Sequence, residues 1–194
     1  MVRLFLAALA TTLLMAIPAI AQDAEVAEAA TMIGPVVGER APMLDSVEAI
    51  GTEAALERGV NGAVIVFVRS ADWCPFCKTQ LLELNPATTP LANAGWQLAA
   101  LSYDSPAVLE AFATENALDF ALLSDQGSEA IKGFNLLNED MQPASRAYGI
   151  PHPAVVFVRN DGTIAAVLRE EGYKTRPSVE AILEAAALLN EAAS

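Results

Sequence analysis

The feature that most constrains the fold is a run of apolar, mostly β-branched residues that leads to a closely spaced cysteine pair. Residues 63–68 read Ala-Val-Ile-Val-Phe-Val, and an Asn-Gly turn signal precedes them. A continuous apolar run of this length is typical of a strand buried on both faces of a sheet. Cys74 and Cys77 follow, and residues 75–84 contain good helix formers with three leucines. The sequence therefore predicts the local order strand, Cys-x-x-Cys, helix.

The rest of the chain alternates between strand and helix patterns. Further strands are predicted at residues 96–101, 120–123, 154–158 and 163–168, and further helices after Ser105, Ser128 and Pro177. Asn160-Asp161-Gly162 between the last two strands is a strong hairpin signal. Residues 135–148 have no regular pattern and predict a loop. This order predicts an α/β fold with a central mixed β-sheet flanked by helices on both faces.

The N-terminus has the pattern of an export signal. Arg3 provides a positive start, residues 4–17 are almost wholly apolar, and a small-x-small cleavage pattern ends at Ala21. This organisation predicts a signal peptide over residues 1–21, cleaved after Ala21, and hence a periplasmic or secreted protein. An uncleaved membrane anchor is the alternative, because the apolar run approaches the ~18 residues that span a bilayer. The proline at position 18 breaks a helix there and favours cleavage.

The charge of the chain limits its partners. Residues 22–31 are acidic and alanine-rich, which predicts a flexible tether over residues 22–33 and a folded domain over residues 34–194. With 24 acidic and 11 basic side chains the formal charge is -13, and cleavage, which removes Arg3 and no acid, makes it -14. This charge opposes nucleic acid and anionic lipid. We expect no nucleic-acid partner, and membrane contact only if the signal is retained.

The chemistry of the cysteine pair follows from its position. A bridge between residues three apart restrains little chain entropy, so an inert structural disulfide is the weaker interpretation. Two thiols and the single histidine fall short of the usual four-ligand zinc site. A strand that delivers Cys74 to a helix N-terminus places its sulfur near unpaired N–H groups, which favour the thiolate. We therefore expect Cys74 to attack a disulfide and Cys77, one turn later, to release the product.

Several motifs lie in the order found in the thioredoxin superfamily. The chain resembles its redoxin branch, which includes the peroxiredoxin-like alkyl hydroperoxide reductase/thiol-specific antioxidant (AhpC/TSA) family. The similar segments are Val37-Gly38-Glu39-Arg40-Ala41-Pro42, Trp73-Cys74-Pro75-Phe76-Cys77, Leu123-Ser124-Asp125, Tyr148-Gly149-Ile150-Pro151-His152-Pro153 and Asp161-Gly162. The resemblance extends over nearly everything from residue 36 onward. It implies a thioredoxin-like fold in which Pro153 takes the place of the family's cis-proline, beside the active-site disulfide.

The residues around the cysteines form a candidate active-site shell. Trp73 and Phe76, with Pro75 between the cysteines, would supply apolar walls, although plain surface-packing aromatics are the alternative. His152 is the only histidine, and its place before Pro153 would set it near the sulfurs. There an imidazole can exchange protons near neutral pH. A solvated imidazole at a loop edge is the commoner outcome for such a residue.

Three functions remain open. The first is a cofactor-independent thiol-disulfide oxidoreductase that acts on protein disulfides or dithiols and exchanges electrons with an upstream thiol partner. The second is a thiol peroxidase, for which the family pattern has proline seven and threonine or serine three positions before the reactive cysteine. Phe67 and Ala71 occupy those positions here, and Ser70 is one position away. The third is a copper carrier that uses both cysteines and the histidine, since thiolates with imidazole suit copper.

Overall fold

The structure is a computed structural model that describes residues 33–50 and 59–192. The predicted signal peptide and tether lie outside the described residues, apart from Ile33. The strands are β1 (Glu48–Ile50), β2 (Gly62–Phe67), β3 (Trp96–Ser102), β4 (Ala121–Ser124), β5 (Ala154–Arg159) and β6 (Ile164–Leu168). The helices are α1 (Pro75–Leu84), α2 (Thr88–Asn93), α3 (Pro106–Glu115), α4 (Glu129–Gly133) and α5 (Val179–Glu191), with a 3-10 turn at Asn85–Ala87. No helix in the described ranges is long and apolar enough to cross a membrane.

The strands form one mixed sheet in the order β1-β4-β3-β2-β5-β6. The β2–β3 and β3–β4 pairs are parallel, whereas β2–β5, β5–β6 and β1–β4 are antiparallel. Phe67, the last residue of β2, lies opposite Leu101 of β3 and Ala154, the first residue of β5. The ends of β2, β3 and β4 and the start of β5 therefore meet at one edge of the sheet. The cysteine pair follows β2 at this edge.

The sheet separates two hydrophobic cores, which accounts for the apolar run in β2. Val64 and Val66 point into the first core, which also contains side chains of α1, α3 and α5. Ile65 and Phe67 point into the second core, together with side chains of α4. Burial of alternate residues on opposite faces removes nearly all of β2 from water and supplies the main driving force for this arrangement. The predicted mixed sheet with helices on both faces is confirmed.

The start of α4 differs from the sequence prediction. The sequence predicts Ser128 as the N-cap of this helix, but its backbone is left-handed, with φ of 57°, and its hydroxyl donates to the Gly149 carbonyl at 2.8 Å. The Asp125 carboxylate instead accepts the N–H groups of Glu129 at 3.0 Å and Ile131 at 2.8 Å. An ionised carboxylate is the stronger acceptor for the free N–H groups of a helix N-terminus. Asp125 therefore caps α4 from a position just after β4.

The peptide bond between His152 and Pro153 is trans, because the described residues contain no cis peptide bond. The prediction of a cis-proline at position 153 is wrong. Pro151 forms an antiparallel bridge with Leu137, and the His152 N–H donates to the Leu136 carbonyl at 2.6 Å. These contacts deliver an extended chain to the start of β5. The trans isomer, which is ~0.5–1 kcal/mol the more stable for an X–Pro bond, continues that direction without a bend.

Candidate active site

Cys74 and Cys77 form a disulfide at the N-terminus of α1, with their Cα atoms 5.2 Å apart. Cys74 is the N-cap residue, and Pro75 begins the helix, a position where proline loses no hydrogen bond. The N–H of Cys77 donates to the Cys74 sulfur at 3.3 Å. The structure thus brings Cys74 to the place at which backbone N–H groups and the helix dipole stabilise a thiolate.

Both cysteines are buried. Cys74 is 1% exposed and Cys77 is 0% exposed, and both belong to the core that contains α1 and α3. A thiol-disulfide exchange needs an incoming sulfur in line with the bond that breaks. Attack on Cys74 therefore requires neighbouring side chains to move aside, a requirement that the sequence did not predict.

Trp73 is fixed by polar and cationic neighbours. Its indole N–H donates to the Tyr103 hydroxyl at 3.0 Å. The Arg69 and Arg146 guanidinium carbons lie 5.2 Å and 5.0 Å from its ring centroid, within the range of cation–π attraction. The ring is half-buried. These contacts hold Trp73 in one orientation next to Cys74.

The segment between β6 and α5, residues 169–178, packs against the cysteine motif. Phe76 is 38% exposed and makes an edge-to-face contact with Tyr173, with ring centroids 5.9 Å apart. The Arg69 guanidinium carbon lies 4.2 Å from the Tyr173 ring centroid. Pro75 is exposed beside Phe76. A distant part of the chain therefore contributes to the surface around the disulfide.

Arg176, in the same segment, reaches the disulfide directly. Its Nη2 lies 3.7 Å from the Cys77 sulfur, and its Nε donates to the Gln80 side-chain oxygen at 3.1 Å. Its Nη1 donates to the Tyr173 carbonyl. Burial, and to a smaller extent the neighbouring Arg69, lowers the pKa of Arg176 to about 10, so the guanidinium stays charged at neutral pH. Nothing in the local sequence around Arg176 predicts this contact, because 99 residues separate it from Cys77.

Asp104 holds the loop between β2 and α1. Its carboxylate accepts the Ser70 hydroxyl at 2.9 Å, the Ala71 N–H at 2.6 Å and the Ser102 hydroxyl at 2.9 Å. Burial raises the pKa of Asp104, although these hydrogen bonds oppose the shift. An acidic residue just after a buried strand, at the same sheet edge as the cysteines, was a signal that could have identified it.

The Ser70 hydroxyl is occupied within this loop. Besides donating to Asp104, it accepts the N–H groups of Asp72 at 3.0 Å and Trp73 at 3.2 Å. Ala71, at the position where the family pattern has threonine or serine, has no hydroxyl. Ser70 therefore cannot replace the missing group without giving up bonds that shape the loop.

His152 and Pro153 lie immediately before β5. Pro153 is buried and His152 is half-buried. Burial, followed by the positive charge of Arg169, lowers the pKa of His152, while Asp140 opposes the shift. The imidazole is therefore neutral at pH 7. Its proposed part in proton exchange with the sulfurs stays a prediction.

Within residues 33–50 and 59–192 there is no cluster of three or more His, Cys, Asp or Glu side chains that could hold a metal ion. The two cysteines and His152 thus form no ready copper site in the part of the chain that the structure describes.

Comparison with known proteins agrees with this architecture. Residues 37–167 match the AhpC/TSA family. Peroxiredoxin Bcp from Escherichia coli K12 is 26% identical over 146 residues, which cover 75% of this chain and 92% of Bcp. A peroxiredoxin-like protein from Aquifex aeolicus superposes with a TM-score of 0.62 at 22% identity, covering 81% of this chain and 90% of that one. A mutant PrxQ from Xylella fastidiosa superposes with a TM-score of 0.63 at 16% identity, covering 82% and 98%.

The family match spans well over half of the chain and includes the cysteine pair, the capping Asp125 and the hairpin apart from its last residue. The mixed sheet with the disulfide at its edge is the thioredoxin-like arrangement that the sequence predicted. This chain belongs to the AhpC/TSA family.

Proposed function

We propose that this protein is a thiol-disulfide oxidoreductase that uses Cys74 and Cys77 on protein substrates. The proposal rests on the Cys74–Cys77 disulfide, in which Cys74 is the N-cap residue of α1. A short bridge at a helix N-terminus stabilises little of the fold, whereas the same geometry favours a reactive thiolate. Exchange between dithiol and disulfide needs only this pair and a thiol partner.

In the reducing direction, the Cys74 thiolate attacks one sulfur of a substrate disulfide. The substrate bond breaks, and its second sulfur leaves with the electron pair and takes a proton. The Cys77 thiolate then attacks the Cys74 sulfur in the mixed disulfide, which releases the first substrate sulfur as a thiolate and closes the Cys74–Cys77 bond. An upstream dithiol returns the pair to the reduced form. In the oxidising direction every step is reversed.

The surroundings of the pair support a macromolecular partner. Trp73 and Phe76 offer aromatic surface beside the cysteines, and the start of β5 lies at the same sheet edge. Because both sulfurs are buried, a protein substrate must first bind and displace the neighbouring side chains before exchange. The export pattern of residues 1–21 supports an extracytoplasmic site of action, where such disulfides persist.

A thiol peroxidase is the second candidate, and family membership favours it. The similar protein from Escherichia coli is named a peroxiredoxin. The activated hydroxyl expected for peroxide orientation is missing, because Ala71 replaces it and the Ser70 hydroxyl is held by Asp104. We therefore rank hydroperoxide reduction below disulfide exchange.

Two assays on the purified protein separate these functions. We expect the protein to accelerate the reduction of insulin disulfides by dithiothreitol. The Cys77→Ser variant should be slower, because its mixed disulfide must be resolved by external dithiothreitol instead of Cys77. Hydroperoxide consumption should be slow in both forms. Fast peroxide turnover that survives in Cys77→Ser with an external reductant would reverse the ranking, since only a peroxidatic Cys74 explains it.

A further inference from the structure

Arg176 is a half-buried cation that has no carboxylate partner among the described residues. Its guanidinium is half-buried, and its polar neighbours are the neutral Gln80 side chain, backbone carbonyls and the Cys77 sulfur. The ion pair between Lys132 and Glu129 involves neither Arg176 nor the cysteines. Removing a charge from water without a counter-charge is unfavourable. Among residues 33–50 and 59–192, the Arg176 guanidinium of the oxidised protein therefore forms no ion pair with a carboxylate.

We propose that Arg176 is a catalytic residue that stabilises the thiolate of Cys77 when the disulfide opens. The inference rests on the proposed exchange function and adds a role for a residue that this function does not require. Opening the bond creates a negative charge on the sulfur that lies 3.7 Å from Arg176 Nη2. Reduction thus supplies the anion that the guanidinium lacks in the oxidised state.

The need for such a cation follows from the burial of Cys77. The side chain is 0% exposed, and burial by itself raises the pKa of a thiol because the thiolate loses its hydration. The helix N-terminus stabilises the other sulfur, since the Cys77 N–H donates to the Cys74 sulfur. Arg176 therefore stabilises the Cys77 thiolate, as the helix N-terminus stabilises the Cys74 thiolate. The positive charge of Arg69 is close enough to act on Arg176 and adds to the positive charge at the site.

Arg176 assists thiol-disulfide exchange in both directions. A thiolate of the reductant attacks the Cys74 sulfur, the Cys74–Cys77 bond breaks, and the electron pair stays on the Cys77 sulfur beside the guanidinium. In the opposite direction the Cys77 thiolate attacks Cys74 in a mixed disulfide, and the partner thiolate leaves. A lower pKa of Cys77 makes it a better leaving group in the first reaction and stabilises the reduced form.

The first test is the redox equilibrium with glutathione, measured for wild type and three variants. We expect Arg176→Gln to reduce the equilibrium constant for reduction about tenfold, which corresponds to about 30 mV toward a more negative potential. Arg176→Lys should retain part of the effect. Lys174→Gln is the matched control, because Lys174 is an exposed cation of the same segment that contacts the Tyr173 ring. Its equilibrium constant should stay within about twofold of wild type.

The second test does not use an Arg176 variant, so it does not depend on whether such a variant folds. In the Cys74→Ser protein the remaining thiol is Cys77, and its ionisation can be followed by thiolate absorbance. We expect a pKa below the ordinary value of about 8.5, despite complete burial. A pKa above that value, or equal redox constants for wild type and Arg176→Gln, overturns the role of Arg176. Neither readout uses a protein substrate. Suppose that the wild-type protein fails to reduce insulin but shows the predicted redox constants and Cys77 pKa. The proposed function would then be wrong, and the role of Arg176 would stand.

Discussion

Replacing Cys74 with serine abolishes disulfide exchange, with a loss of about 10³-fold or more in the rate of insulin reduction. The serine hydroxyl does not ionise at neutral pH, so the helix N-terminus has no thiolate to stabilise. Replacing Cys77 leaves the attacking sulfur intact but removes the group that releases the product. The Cys77→Ser protein should therefore accumulate mixed disulfides with its partners, seen as higher-mass species on non-reducing gels.

The double variant Cys74→Ser/Cys77→Ser is the control for non-specific capture and should yield no such species. Mass spectrometry of the trapped complexes would place the bond on Cys74. Recovery of the same partners in equal amount from both single variants would contradict the roles assigned to the two sulfurs, because the buried Cys77 would then be an equally good nucleophile.

Removing the Asp104 carboxylate destabilises the protein by about 2–4 kcal/mol, because two hydroxyls and one buried N–H lose their acceptor. Ser70, Ala71 and Ser102 supply those donors. The loop that carries Trp73 to Cys74 then loses its anchor. Urea unfolding of Asp104→Ala, followed by tryptophan fluorescence, measures the change in the free energy of unfolding.

Asp119→Ala is the matched control, because Asp119 is an exposed aspartate, and its loss should change the free energy of unfolding by about 0.5 kcal/mol or less.

Burial raises the pKa of Asp104, so the folded state holds the carboxyl proton more tightly than the unfolded state. The contribution of Asp104 to stability therefore falls as the pH rises from the ordinary carboxyl range through the folded pKa. Asp104→Asn should lack that decline. An Asp104→Ala protein as stable as wild type would show that the network does not hold the loop.

The parts of the site that the sequence predicts are local in the chain. The apolar run of β2, the cysteine spacing and Pro75 lie within a few residues of one another, and together they specify a strand, a cap and a helix. β1 was not predicted, because Glu48, Ala49 and Ile50 give no run of buried residues. Short elements that depend on pairing with a distant strand leave little local pattern.

The parts that the sequence did not predict depend on contacts between distant segments. Arg176 meets Cys77 only after the chain has returned along β5 and β6, and the segment around it has no regular pattern. Ser128 looked like a helix cap, but the nearby Asp125 competes better for the same N–H groups. The cis-proline was inferred from family resemblance, whereas the bridge between Leu137 and Pro151 sets the direction of this chain.

A redox titration of the native cysteine pair tests the central claim most directly. The protein is equilibrated in buffers of defined thiol-disulfide potential, and the free thiols are counted by alkylation and mass spectrometry. The account predicts one reversible two-electron transition at a potential above about -300 mV, in the range of pairs that exchange with other thiols. A bond that stays oxidised well below that potential would be structural, and that result would contradict the proposed activity.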